Sequence, residues 1–291
     1  MSSDIMPMTE SRPRRQRSQD SGATDAALLF DEPGPRGRIL IAIGSVVAVI
    51  GIAALAAAVL YRLDLAGQLD YPKWRYFLGQ SVVSQLLEAA GTTLTLGGVA
   101  AVLTFPLGIA LGWLRLLDNR PIKWLVGLWV DAMRAVPMLL LVYFFLLVVP
   151  RFATISDFWK LALPIVMCTS ATTAEVFRSG VRALDRGQTE AAWALGMSPS
   201  LTMRLILAPQ ALRLMLPTLI TQMVTIIKGT TLAYVLAYPE LMYRGSTMIG
   251  QAKIDAHLSV FFQTYVIIAV LYIIVNWSLG ALARYIESRT R

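Results

Sequence analysis

Five ionisable residues stand inside otherwise apolar stretches: Asp131, Arg134, Glu175, Arg178 and Lys228. A charged side chain near the centre of a membrane helix costs about 2.5–3.5 kcal/mol on insertion scales, so each needs a partner charge, a polar interior or an interface. Asp131 and Arg134 stand three residues apart, as do Glu175 and Arg178, a spacing that puts both members on one face of a helix. Each pair either neutralises two charges structurally or opens as a gate. Lys228 has no acid near it in sequence and is followed by Gly229, Thr230 and Thr231. An ammonium beside small hydroxyls could hold a carboxylate at a helix break, or the lysine could snorkel to the outer interface.

Other chemistry finds no residues to carry it. Cys168 and His257 are each the sole representative of their type, which gives neither a disulfide framework nor a zinc site. No Gly-x-x-x-x-Gly-Lys-Ser/Thr phosphate loop is present, and Gly97-Gly98, inside an apolar run, reads as helix packing. An enzyme of the membrane would need a nucleophile, a metal cluster or a cofactor loop, and none is visible.

The elements that must position these charges are membrane helices. With 56% apolar and 15% charged residues and a mean hydropathy of +0.60, the 291-residue chain is too apolar for a soluble domain. A run of about 20 apolar residues crosses a hydrocarbon core of roughly 30 Å. Six spans are expected: Ile39–Leu60, Ala90–Leu114, Trp124–Val149, Leu161–Val181, Met203–Ile227 and Leu258–Tyr285. Pro106 should kink the second. Residues 1–38, rich in Ser, Pro, Arg, Asp and Gly, read as a disordered tail too long for the n-region of a signal peptide. Residues 61–88, with Tyr71, Trp74, Tyr76 and Phe77 beside Lys73 and Arg75, form either an interfacial helix or an external loop. The stretch with Arg244, Lys253, Asp255 and His257 reads as a polar loop.

Orientation follows from the lysines and arginines, which explain the net charge of +8 without a nucleic-acid partner. With the N-terminus inside, 17 of the 26 fall on the cytoplasmic side, 7 outside, and Arg134 and Lys228 in the membrane. Both termini are then cytoplasmic, and so are residues 182–202.

That cytoplasmic stretch is the most distinctive of the chain. Between two apolar runs, Glu190-Ala191-Ala192 can open a short helix, Gly196 lets the chain turn, and Ser198-Pro199 starts a new element. Glu-Ala-Ala, three residues, Gly196, nine residues, then Ile206 and Pro209 resembles the EAA loop of the membrane subunits of ABC importers. Ala208 stands where that pattern usually has Leu.

The resemblance runs from about Ala89 to Ala283. Arg134-Ala-Val-Pro137 and Thr173-Ala-Glu175-Val-Phe-Arg178-Ser-Gly180 resemble segments of the polar amino-acid uptake branch. Leu195-Gly196-Met197, Pro209-Gln210-Ala211 and the run from Lys228 look most like glutamate/aspartate permease subunits. This implies an all-α, type I importer permease fold of five core helices plus an extra N-terminal helix. The implied domains are the tail 1–38, the extra span 39–60, the external segment 61–88, a permease domain 89–283 with its coupling loop at 183–202, and a C-terminus at 284–291. The implied function is ATP-driven import of polar amino acids, leaning towards glutamate and aspartate. Glu190, Ala191, Ala192, Gly196 and Pro209 would couple to an ATPase subunit that binds ATP and Mg. Further implied partners are a second permease, identical or paralogous, and an external solute-binding protein. From the residues alone, a secondary transporter or channel relaying ions over Asp131, Glu175 and Lys228 is the competing reading.

Overall fold

The computed structural model describes residues 34–290, so most of the expected tail lies outside the described residues. Among the described residues every regular element is helical. The chain divides after Ala66 into two units.

The first unit is the helix α1, Pro35–Leu65, opened by a proline at its first position, where the missing amide costs nothing. It starts inside the stretch expected to be tail. Its apolar side chains are exposed on all sides, as for Ile39, Val47 and Leu55. A helix apolar all round is matched to hydrocarbon rather than to water.

The second unit begins with the short helix α2, Tyr71–Arg75, and a 3-10 turn at Tyr76–Leu78, so the interfacial segment is helical for only part of its length. The helix α3, Gln80–Leu114, starts ten residues earlier than expected and keeps Pro106 within it. The helix α4, Arg120–Ala135, is capped by Asn119, whose side chain accepts the Ile122 amide at 3.2 Å. It does not continue through the expected third span. Val136, which precedes Pro137, is held in an extended conformation, and the chain resumes as α5, Met138–Leu147, at 96° to the helix before. The proline that marks the sequence motif is therefore also the hinge of a broken span.

The helix α6, Asp157–Arg182, is the centre of the unit. It packs against α3, α4, α5 and the later helix Ala208–Gly229. Small residues permit the approach to α3: a Cβ on Gly112 would stand 2.6 Å from the Ala174 carbonyl oxygen. Thr104 and Thr169 hydroxyls meet at 2.8 Å across this seam.

After α6 come the helix α7, Arg186–Ala194, and the single turn α8, Pro199–Thr202. A widened π turn, Met203–Leu207, leads into α9, Ala208–Gly229, and a 3-10 segment at Thr230–Leu236. Pro209 accounts for the π turn: it has no amide to donate and its ring presses on the preceding turn. The segment read as a polar loop is in fact largely the helix α10, Leu241–Asp255, and α11, Phe261–Thr290, ends the unit. Glu240 makes α10 possible by capping it with both carboxylate oxygens.

Among the described residues four helices are long and apolar enough to cross a membrane, or five if α4 and α5 form one span. The helix α6, also counted as a span in the sequence, falls outside this set: Thr169, Ser170, Thr173, Glu175 and Arg178 give it a polar half that its neighbours cover.

Candidate functional site

The charges of the third and fourth expected spans come together as one network. The carboxylate of Glu175 on α6 is gripped by the Arg178 guanidinium one turn later, with Nε at 3.2 Å, and by Arg115 Nη1 at 2.9 Å. Arg115 also reaches Asp131 Oδ1 at 3.4 Å, and Arg134 lies 3.8 Å from both Asp131 and Glu175. Both expected pairs are formed, but they are not independent: Arg115, at the end of α3, joins them. In the sequence Arg115 simply follows Leu114, the expected end of the second span. Nothing in its spacing points to residues on α4 and α6.

Three cations on two carboxylates leave the network positive by one. Glu175, Arg115 and Arg178 are the shielded members, at 20%, 14% and 21% side-chain exposure, whereas Asp131 is 59% exposed. The network ties α3, α4 and α6 together, so it is a structural clamp that α4 cannot leave without exchanging ion pairs.

Lys228 takes no part in it. The lysine is exposed in the last turn of α9, and its carbonyl accepts the Thr231 hydroxyl at 2.8 Å. Thr230 is fully buried, and its hydroxyl donates to the Ile227 carbonyl at 2.7 Å. It therefore faces the protein core, not an open path beside Lys228. Thr169 and Thr173 are likewise buried, in the α3–α6 seam.

From Thr218 onward the exposed polar residues of α9 are Thr218, Thr221, Thr225 and Lys228, at successive spacings of three, four and three. This is one face of a helix. Thr221 and Thr225 satisfy their hydroxyls on the carbonyls of Pro217 and Thr221, at 3.2 and 3.1 Å, which leaves their oxygens free to accept. The three threonines were passed over in the sequence although the helical period was visible. Asp131 and Glu175 belong to the clamp and Lys228 to this face, so the three form no continuous ion relay.

At the start of α10 the sequence reading missed a buried polar knot. Glu240 is 0% exposed and accepts the Met242 and Tyr243 amides at 2.9 Å each and the Tyr272 hydroxyl at 2.7 Å. Thr93 of α3 accepts the next amide, that of Leu241, at 3.2 Å. Burial pushes the Glu240 carboxyl above its usual range, while these hydrogen bonds pull the other way. The knot pins the start of α10 to α3 and α11.

The loop between α6 and α9 presents a docking element. Asp185 caps α7 by accepting the Gly187 amide at 2.8 Å. Glu190 is the fifth residue of this helix rather than its edge, and it is exposed, as are Ala191, Trp193 and Leu195. Ala192 is buried and seats the helix. Gly196 ends the turn at φ +77, a left-handed conformation that only glycine adopts without strain. Ser198 caps α8, with Pro199 at its first position. Trp193 and Leu195 put large apolar groups beside the Glu190 charge, on a face that nothing among the described residues covers.

Residues 104–291 match the family described as the inner membrane component of binding-protein-dependent transport systems. The chain belongs to this family. Within it, the permease is 33% identical over 198 residues to a probable glutamine ABC transporter permease protein of Bacillus subtilis, covering 68% of this chain and 89% of that one. It is also 33% identical over 230 residues to a glutamate transport system permease protein of Corynebacterium glutamicum, covering 77% and 82%. The chain is thus a membrane-embedded transport component, of the same family as these ABC transporter permeases. A solved amino-acid ABC transporter, crystallised with histidines, shares the fold with a TM-score of 0.64 at 24% identity, over 72% of this chain and 95% of that one.

Proposed function

We propose that the permease imports glutamate, glutamine or a closely related polar amino acid across the cytoplasmic membrane, driven by ATP hydrolysis in a partner subunit. Six spans with both termini cytoplasmic is the arrangement that the arginine and lysine distribution supports. It makes α6 and the broken α4–α5 unit part of the membrane body. The observation that carries the coupling is α7 itself: a short exposed helix with Glu190, Trp193 and Leu195 outward, closed by a glycine at φ +77. An ATPase subunit holding ATP and Mg would take this helix into a groove, with Ala191, Ala192, Gly196 and Pro209 fixing its pose.

The polar face of α9 supports the path. In hydrocarbon, three threonines and a lysine on one face are unfavourable, so this face meets a second permease and water between the two. Substrate delivered by an external binding protein would meet Lys228 and Thr231 first and pass along Thr225, Thr221 and Thr218. The clamp of Arg115, Asp131, Arg134, Glu175 and Arg178 would hold the cytoplasmic side until α4 moves. The relatives named for glutamine and glutamate, and the single cation on this face, support an amino acid with an anionic or amide side chain. Uptake of labelled glutamate and glutamine by proteoliposomes holding permease, ATPase and binding protein tests this. Import that requires ATP and all three components is expected; import driven by an ion gradient without ATP contradicts it.

A further inference from the structure

On the second unit an apolar cavity of about 430 Å³ opens between α3, α9 and α11, lined by Phe105, Leu216, Ile220, Met223, Leu279 and Leu282. Its size is within the range of ligand pockets, but its walls offer no polar group to orient a soluble ligand. The stripe that α9 contributes extends by one turn to Arg213, three residues before Leu216 and seven before Ile220, and Arg213 is exposed. No carboxylate pairs with this guanidinium among the described residues. With about 100° of rotation per residue, Leu216, Ile220 and Met223 lie roughly opposite the row Thr218, Thr221, Thr225 and Lys228, and Arg213 lies between the two faces, within about 20° of Ile220. A second permease seated on the polar row would leave the cavity facing the bilayer.

We propose that this cavity holds an acyl chain of an anionic phospholipid, with Arg213 on its phosphate. The site rests on the orientation argued above, which puts Arg213, Leu216 and Leu282 in the cytoplasmic half of the membrane. Basic positions at the cytoplasmic mouth of an interhelical pocket are suited to anionic headgroups, and the apolar walls take the tail. An acyl chain there packs α9 against α11 without entering the path, so the lipid supports the helix that carries the polar face.

The test uses the full permease–ATPase complex in nanodiscs of phosphatidylcholine alone, or with a third phosphatidylglycerol, followed by native mass spectrometry of the released complex. The expected result is phosphatidylglycerol retained about fivefold over phosphatidylcholine at equal abundance, the preference of one basic side chain near the surface. Arg213→Gln should bring that ratio to about one and Arg213→Lys should keep it, while Ile220→Trp, which fills the cavity, should abolish retention of both lipids. Leu282→Trp makes the same test from the α11 wall if Ile220→Trp fails to assemble. Equal retention of the two lipids by the natural sequence overturns the proposal. So does a filled cavity that splits the permease pair instead of releasing lipid, which would assign the cavity to a second copy. Because lipid retention is read without transport, a negative result here leaves the import reading standing. Failure of ATP-driven import with retention intact removes only that reading.

Discussion

The Arg115 guanidinium stands 2.9 Å from Glu175 Oε2 and 3.4 Å from Asp131 Oδ1, so a residue at the end of α3 holds together two ion pairs that lie on α4 and α6. An ion pair shielded from water and supported by hydrogen bonds costs more to break than an exposed one, because the remaining charge loses its partner in a poorly solvated place.

Arg115→Gln should therefore lower stability by about 1–3 kcal/mol, since Glu175 keeps Arg178 and the more distant Arg134 but loses its closer interhelical partner. Asp131→Asn, at an exposed site, should cost under about 1 kcal/mol. Thermal unfolding of the detergent-solubilised permease measures both. The double variant Arg115→Gln/Glu175→Gln should show coupling of at least about 0.5 kcal/mol; strictly additive effects would mean that the contact contributes nothing.

Glu240 gives a pH dependence. Burial holds its folded carboxyl above the unfolded value, so the native state binds this proton more tightly. The stabilisation from that proton is complete below the unfolded value, about pH 4.3, and is lost as pH rises through the folded value. Glu240→Gln, which cannot titrate, should lack this decline. Melting temperatures of the two proteins across that range should converge or cross as pH rises, and parallel curves would contradict the assignment.

Tyr272→Phe removes one hydroxyl from the same carboxylate and should cost about 1.5–3 kcal/mol, the range for a hydrogen bond to a charged group. Thermal unfolding measures it. A loss below about 0.5 kcal/mol would show that the Tyr272 bond does not hold α11 to α10.

Lys228→Gln separates the two readings of the one lysine on the polar face of α9. Glutamate uptake should fall about tenfold more than glutamine uptake if the ammonium meets a side-chain carboxylate, which is a loss of about 1.4 kcal/mol in favour of one substrate. Equal loss of both would assign it to the shared α-carboxylate. Unchanged uptake of both would leave Lys228 snorkelling to headgroups.

What the sequence made legible was whatever depends on local spacing. The Gly196 turn and the Ser198-Pro199 start stand where expected because backbone conformation at those positions is set by the residues themselves. The Asp131/Arg134 and Glu175/Arg178 pairs formed for the same reason. Arg115, 60 residues from Glu175, could not be placed, since its role exists only once α3 and α6 are packed. The break at Val136 was legible in Pro137 but lost in a long apolar run, where hydropathy does not register direction. The burial of Thr230 was not legible because a hydroxyl in an apolar span looks alike whether it lines a path or returns its proton to the preceding turn.

The central claim is that α7 carries the coupling to an ATPase, and the most direct measurement pairs ATPase co-purification with ATP-driven uptake for Glu190→Arg and Gly196→Pro. Proline cannot adopt the φ of +77 found at Gly196, so the end of α7 must rebuild while the membrane helices remain. The account predicts that both variants insert at normal levels, lose at least about 90% of uptake, a tenfold effect equivalent to about 1.4 kcal/mol, and retain less ATPase. Full uptake and normal ATPase retention by a correctly inserted Gly196→Pro protein would contradict it.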